Sequence, residues 1–188
     1  MGETGRAALH QPTGSRLVGI LSVVIRWWAL FGGIIVAGLA VMTAASAISN
    51  LAVGRPFPPD YELVKHFVAI AIFAFLPYCQ LTGANVTVDI FTERMGERGK
   101  AATAALASLL AVGFSVLLLK QMSAGFASYV RYPEVTPVLR LPLWTAFPFI
   151  LFSLALLLAA SLITLHQSWR GVRGLPPTFV PAAPPPLE

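Results

Sequence analysis

Four long stretches of the chain are free of Asp, Glu, Lys and Arg, and short clusters of charge, proline and glycine separate them. A bilayer core about 30 Å thick is crossed by roughly 20 helical residues rising 1.5 Å each. Nothing between Arg26 and Arg55 is ionisable, which predicts a first span near residues 27–50. The second clear stretch lies between His66 and Asp89. Pro58-Pro59-Asp60 breaks the chain before it, with Asp60 as the expected N-cap, and the span reads as 61–83. The third stretch is bounded by Lys100 and Lys120 and predicts a span over about 100–122, Lys120 snorkelling if its helix runs on. The fourth falls between Arg140 and Arg170, about 143–167, with Pro142 opening it near the first helical turn. Pro77 predicts a kink in span two, because it frees the carbonyl of Phe73. The fold class this pattern implies is an all-α integral membrane protein with four transmembrane helices.

The flanks add detail. Residues 15–26 set Leu17, Ile20, Leu21, Val24 and Ile25 over one broad arc and Gly19, Ser22 and Arg26 opposite. That reads as an interfacial amphipathic helix leading into span one. Residues 85–97 alternate less cleanly, with Val86, Ile90 and Phe91 able to face a membrane and Asp89, Glu93 and Arg94 outward. Residues 1–14 are expected to be disordered, 15–169 to form the transmembrane domain, and the proline-rich 170–188 to form a second disordered tail. Trp27, Trp28, Trp144 and Trp169 all fall at expected span ends, where an amphipathic ring prefers the headgroup level. Basic residues number eight on the side of the two termini and the second loop, against five on the other. This favours both termini in the cytoplasm.

Composition narrows the function classes. Of 188 residues, 56% are hydrophobic and 11% charged, with mean hydropathy +0.75. A soluble domain carries about a quarter charged residues. The net charge of +5 is spread over too few residues to build a nucleic-acid groove, so no nucleic-acid partner is expected and membrane lipid is. A single cysteine, Cys79, leaves no internal disulfide and no cysteine cluster for a metal.

Candidate chemistry is sparse. Glu62, Lys65 and His66 occupy the first turns of span two, with Arg55 before it; Glu62 and His66 are four apart and share a helix face. A mutually paired interfacial cluster is the first reading, with Arg55 and Glu62 ordering the ends of spans one and two; a proton or substrate relay is the second. Gly32, Gly33, Ala37, Gly38, Ala40 and Ala44 give span one a small-residue surface that another helix can approach closely. His66 and His166 belong near opposite faces of the membrane and cannot share a haem iron. No metalloprotease, nucleophile-elbow, phosphate-loop or paired-carboxylate pattern occurs, so no enzyme activity, cofactor or metal is expected. No internal repeat is visible either, which argues against a self-contained carrier of inverted halves.

One arrangement of residues is specific in combination. Glu62-Leu63-Val64-Lys65, an apolar span, then Gly83-Ala84-Asn85-Val86-Thr87-Val88-Asp89-Ile90, resembles the small membrane subunit of tripartite ATP-independent periplasmic transporters. Leu141-Pro142-Leu143-Trp144 followed by Phe147-Pro148 resembles the same family at the start of its fourth helix. The resemblance covers about residues 17–166. Asn85 stands where the family often has histidine, which removes a titrating role there.

The resemblance implies a three-part uptake system. A periplasmic binding protein delivers an organic acid, and a large multi-helix membrane subunit carries it with cations. The small subunit, in the bacterial inner membrane, would scaffold the large one. Gly33, Ala37, Arg55, Glu62, Lys65, Asn85, Asp89 and Trp144 are then candidate interface or structural residues. The competing readings are a self-associating four-helix carrier or channel, and a membrane anchor of another complex, such as a redox assembly.

Overall fold

The protein was analysed as a computed structural model, which describes residues 13–55, 57–83 and 96–173. Four helices long and apolar enough to cross a membrane account for most of them. They are α1 (Thr13–Val53), α2 (Asp60–Thr82), α3 (Glu97–Arg131) and α4 (Phe147–Val172), the last preceded by a 3₁₀ turn at Leu143–Ala146. Asn85, Asp89 and both expected tails lie outside the described residues.

Helix ends follow backbone chemistry more than side-chain caps. Gly54 and Gly83 take φ of +69° and +67°, and each returns its N–H to a carbonyl four residues back, Asn50 and Cys79. Only glycine adopts that conformation without a Cβ penalty, so both helices stop there. Asp60 is not the cap expected of it. It is the first residue of α2, and its carboxylate accepts the Ser46 hydroxyl at 2.6 Å. The same Ser46 oxygen accepts from the Phe57 amide at 3.1 Å, tying the α1–α2 turn shut. Pro142 does not open α4 either; it precedes the 3₁₀ turn, and Pro148 occupies the first turn of α4. Proline is tolerated there because that N–H has no helical partner to lose. α2 continues helically through Pro77, whose ring is fully buried.

α1 is one uninterrupted helix of 41 residues, about 60 Å long at 1.5 Å per residue. The segment expected to be a separate interfacial helix is thus its first part. Leu21 and Ile25 pack there against Leu81, Leu156 and Ala160. α3, with 35 residues, carries Lys120 exposed in its interior.

Close approaches join α1 to α2, α2 to α4 and α4 to α3, so the helices form an open row in the order α1–α2–α4–α3. α4 is central: 44% of its most apolar window is buried, against 11% for α3 and 17% for α1. One core cluster, Ile70, Ala146, Ile150, Leu154 and Leu157, joins α2 to α4 and receives Leu118, Leu119 and Met122 of α3. This cluster lies towards the hairpin end, the end holding the α1–α2 and α3–α4 connections. Towards the opposite, terminal end, where α1 begins and α4 stops, α1 leans onto α4.

The lean continues at Trp28, which meets the first two turns of α4. It is half-buried in the packing, and its indole N–H donates to Ser153 Oγ at 2.8 Å. Ser153 in turn donates to the Phe149 carbonyl at 2.8 Å. Phe152 meets the indole edge-on at 4.6 Å between ring centroids. Trp27, Trp144 and Trp169 are exposed. Gly32 is where α1 comes closest to α2: a Cβ there would stand 3.0 Å from Ala74 Cβ.

Two outcomes follow from this packing. Gly32→Leu should overpack α1 on α2 and cost about 1–3 kcal/mol, whereas Gly33→Leu, with open space around it, should leave the thermal unfolding of the detergent-solubilised chain unchanged. A double-mutant cycle with Trp28→Phe and Ser153→Ala should return a coupling of about 0.6 kcal/mol and no more than about 1.7, the range of hydrogen bonds between membrane helices.

Candidate functional site

Several polar side chains of α2 and the α3–α4 connection converge at the hairpin end. After α3, residues 134–143 form a tight loop: Leu143 N–H donates to the Glu134 carbonyl, Thr136 N–H to Leu141, and Arg140 N–H to Thr136, at 2.9, 3.0 and 3.0 Å. Arg140, with φ of 52°, occupies the left-handed conformation that closes it. A loop this tight turns the amides of Val138 and Leu139 inward with no carbonyl to meet them.

Glu62 supplies the acceptor. Its Oε1 takes the Val138 amide at 2.8 Å and its Oε2 the Leu139 amide at 2.9 Å. The Thr136 hydroxyl also donates to the carboxylate, while its oxygen accepts the Leu141 amide at 3.0 Å. Both carboxylate oxygens are therefore used on backbone N–H groups, a charge-assisted arrangement. The residue is buried, so the loop is fastened to α2 below its surface. The partner expected for Glu62 was Arg55. Arg55 instead is exposed on the α1–α2 turn, where its carbonyl accepts the Ser49 hydroxyl at 2.9 Å.

His66, one turn deeper, secures the start of the 3₁₀ turn. Thr145 Oγ lies 3.1 Å from His66 Nε2 and 2.7 Å from the Pro142 carbonyl. The hydroxyl has one proton, and the carbonyl can only accept, so the proton goes to Pro142 and the imidazole donates from Nε2. Glu62 and His66 share a helix face as expected, yet they serve separate partners on the loop rather than each other.

Lys65 points outward and lies over the Tyr61 ring, 5.2 Å from its centroid. Trp144 is exposed on the 3₁₀ turn beside this cluster. Gly33 and Ala37 lie well apart, on a flank of α1 that α2 does not cover. Gly33, Ala37, Ala40, Ala44 and Ala47 recur at helical spacing along that flank. At the terminal end, Gln80 donates to Thr164 Oγ at 3.1 Å and Thr164 donates to the Ser161 carbonyl, closing α2 on α4.

Reasoning from sequence missed the loop amides, Thr136, Thr145 and Ser153. Nothing in their local pattern distinguishes them, because these partners lie more than 70 residues away. The choice between Gly32 and Gly33 did have a signal. Gly32 and Ser46 are fourteen residues apart, about four helical turns, so they share a face.

Replacing Glu62 with Gln presents the two amides with only one acceptor oxygen. This variant should destabilise the chain and expose the 134–143 loop to faster proteolysis, while Arg55→Gln should change neither. Limited proteolysis and thermal unfolding in detergent check both.

Comparison with known proteins places this geometry. The family model described as "Tripartite ATP-independent periplasmic transporters, DctQ component" matches residues 39–171, from the middle of α1 almost to the end of α4. No curated protein and no solved structure matches the chain. The match takes in the Ser46–Asp60 clip, the Glu62-held loop and the whole α2–α4 core. The chain belongs to the DctQ family, the small membrane component of tripartite ATP-independent periplasmic transporters.

Proposed function

We propose that this chain is a non-catalytic scaffold for the large transport subunit, in a system that takes up an organic acid with cations after a periplasmic binding protein delivers it. The family supplies the large membrane subunit and the binding protein as partners. The observation that carries the scaffold reading is the open row: α1 and α3 at its edges are the least covered helices. A carrier or channel working alone needs an enclosed polar path near the midplane. Here the buried hydroxyls of Ser115, Ser153 and Ser161 donate to carbonyls one turn back on their own helices, which leaves them poor cargo ligands.

The uncovered flank of α1 suits a second helix. Gly33, Ala37, Ala40, Ala44 and Ala47 would let backbones approach closely, the usual way helices associate where lipid offers no hydrophobic driving force. In this reading α1 docks on the large subunit. The hairpin end, with Trp144 and the Glu62-held loop, faces the periplasm, and both termini are cytoplasmic in the inner membrane.

Reconstitution tests the assignment. Liposomes holding the chain alone should take up no organic acid, and those holding it with the large subunit and the binding protein should. Uptake by the chain alone would overturn the scaffold. Gly33→Leu, which leaves the isolated chain's stability intact, should lower recovery of the large subunit in pull-down. For orientation, in a Cys79→Ser background, Glu134→Cys should react with an impermeant maleimide applied to spheroplasts, and Arg173→Cys only after lysis.

A further inference from the structure

We propose that a cleft at the hairpin end binds one phospholipid, its phosphate at Lys65 and an acyl chain along the floor made by Ala146 and Ile150. The cleft has a volume of about 430 Å³ and lies between α2, the end of α3, the 134–143 loop and the start of α4. Along α2 its wall passes from Tyr61, Glu62, Lys65 and His66 to Ala69. On α2, Tyr61, Lys65 and Ala69 follow one another at one-turn intervals on a single face. On α4 and its leading turn, Ala146 and Ile150 continue the apolar side. Lys65 is five residues into the 23-residue α2, about 7.5 Å from its start, close enough for its long stem to carry the ammonium up to the headgroup boundary.

Charge selects the occupant. Glu62 spends both oxygens on loop amides, and His66 donates to Thr145. Lys65 makes no direct ion pair among the described residues; its ammonium rests against the Tyr61 ring and is attracted, at longer range, by the Glu62 carboxylate. The mouth therefore offers an exposed ammonium above an apolar slot, with the Glu62 carboxylate buried behind it and engaged by the loop amides, which suits an anionic headgroup on an acyl chain. A soluble carboxylate would use the mouth and leave the floor empty.

The test is native mass spectrometry of the full chain in detergent, supplied with phosphatidylglycerol or phosphatidylcholine. The wild-type chain should retain one phosphatidylglycerol in preference to phosphatidylcholine. Lys65→Gln should reduce that preference about fivefold, the usual worth of one lysine near an anionic headgroup. Ala69→Trp should fill the slot and lose both lipids; because it adds bulk beside the core, Lys65→Gln is read independently of it. Retention insensitive to both substitutions would mean annular lipid only and overturn the site. Displacement of the lipid by succinate through Lys65 would make the mouth a soluble-anion site and overturn it too. So would a density map of the complex showing partner side chains in the cleft.

Discussion

Hydrocarbon offers no water to a polar group that lacks a partner, so any irregular backbone at membrane depth must find its partners within the protein. In this chain that constraint falls hardest on the segment between α3 and α4. The loop is too tight to pair all its own amides, and it sits at the edge of the apolar region. Glu62 resolves the problem with one side chain, accepting from two consecutive N–H groups and a hydroxyl. The consequence reaches past the loop. With the loop held, the 3₁₀ turn that follows is placed for Thr145 to meet His66, and α4 starts against α2.

The same logic recurs wherever helices of this chain are joined by polar groups. A hydroxyl donates to a fixed acceptor and accepts from a neighbouring element with the same oxygen: Ser46, Ser153 and Thr164 each do so. Each joint is worth about 0.6 kcal/mol, at most about 1.7, so none of them holds the fold alone. They instead fix which helices are neighbours and at what depth, while close packing at Gly32 and around Ile70 and Leu154 fills the space between.

Much of this was legible in the sequence because membrane helices are coded by composition over long windows, which a linear reading captures. Four crossings and the family resemblance needed nothing more. Single-residue roles were harder, and the reason is geometric. Trp28 sits beside Trp27, and only the turn of the helix decides which indole enters the packing and which faces outward. Asp60 and Glu62 looked like a cap and an ion-pair partner because local chemistry was all that could be weighed. Their actual partners, Ser46 and the amides of Val138 and Leu139, depend on which segments tertiary folding brings together. An acidic residue in the first turn of a membrane helix is a signal that something nearby must be held, but not what.

The open row is itself a physical argument about function. In water, uncovered apolar helices such as α1 and α3 would drive collapse or aggregation. In a bilayer, closing them into a bundle gains no hydrophobic energy, since lipid tails are as apolar as leucine. The chain can thus stay one helix thick at its α3 edge without penalty. Neighbouring helix axes lie about 8–10 Å apart, so such a row is broad for its mass and presents more surface to a companion than a closed bundle of the same four helices. A support that must not move while another part of a transporter does gains from that breadth. It gains also from having its loop fastened at one end by buried hydrogen bonds to Glu62 rather than by surface ion pairs. That combination of breadth and a clamped end is what the proposed scaffold requires.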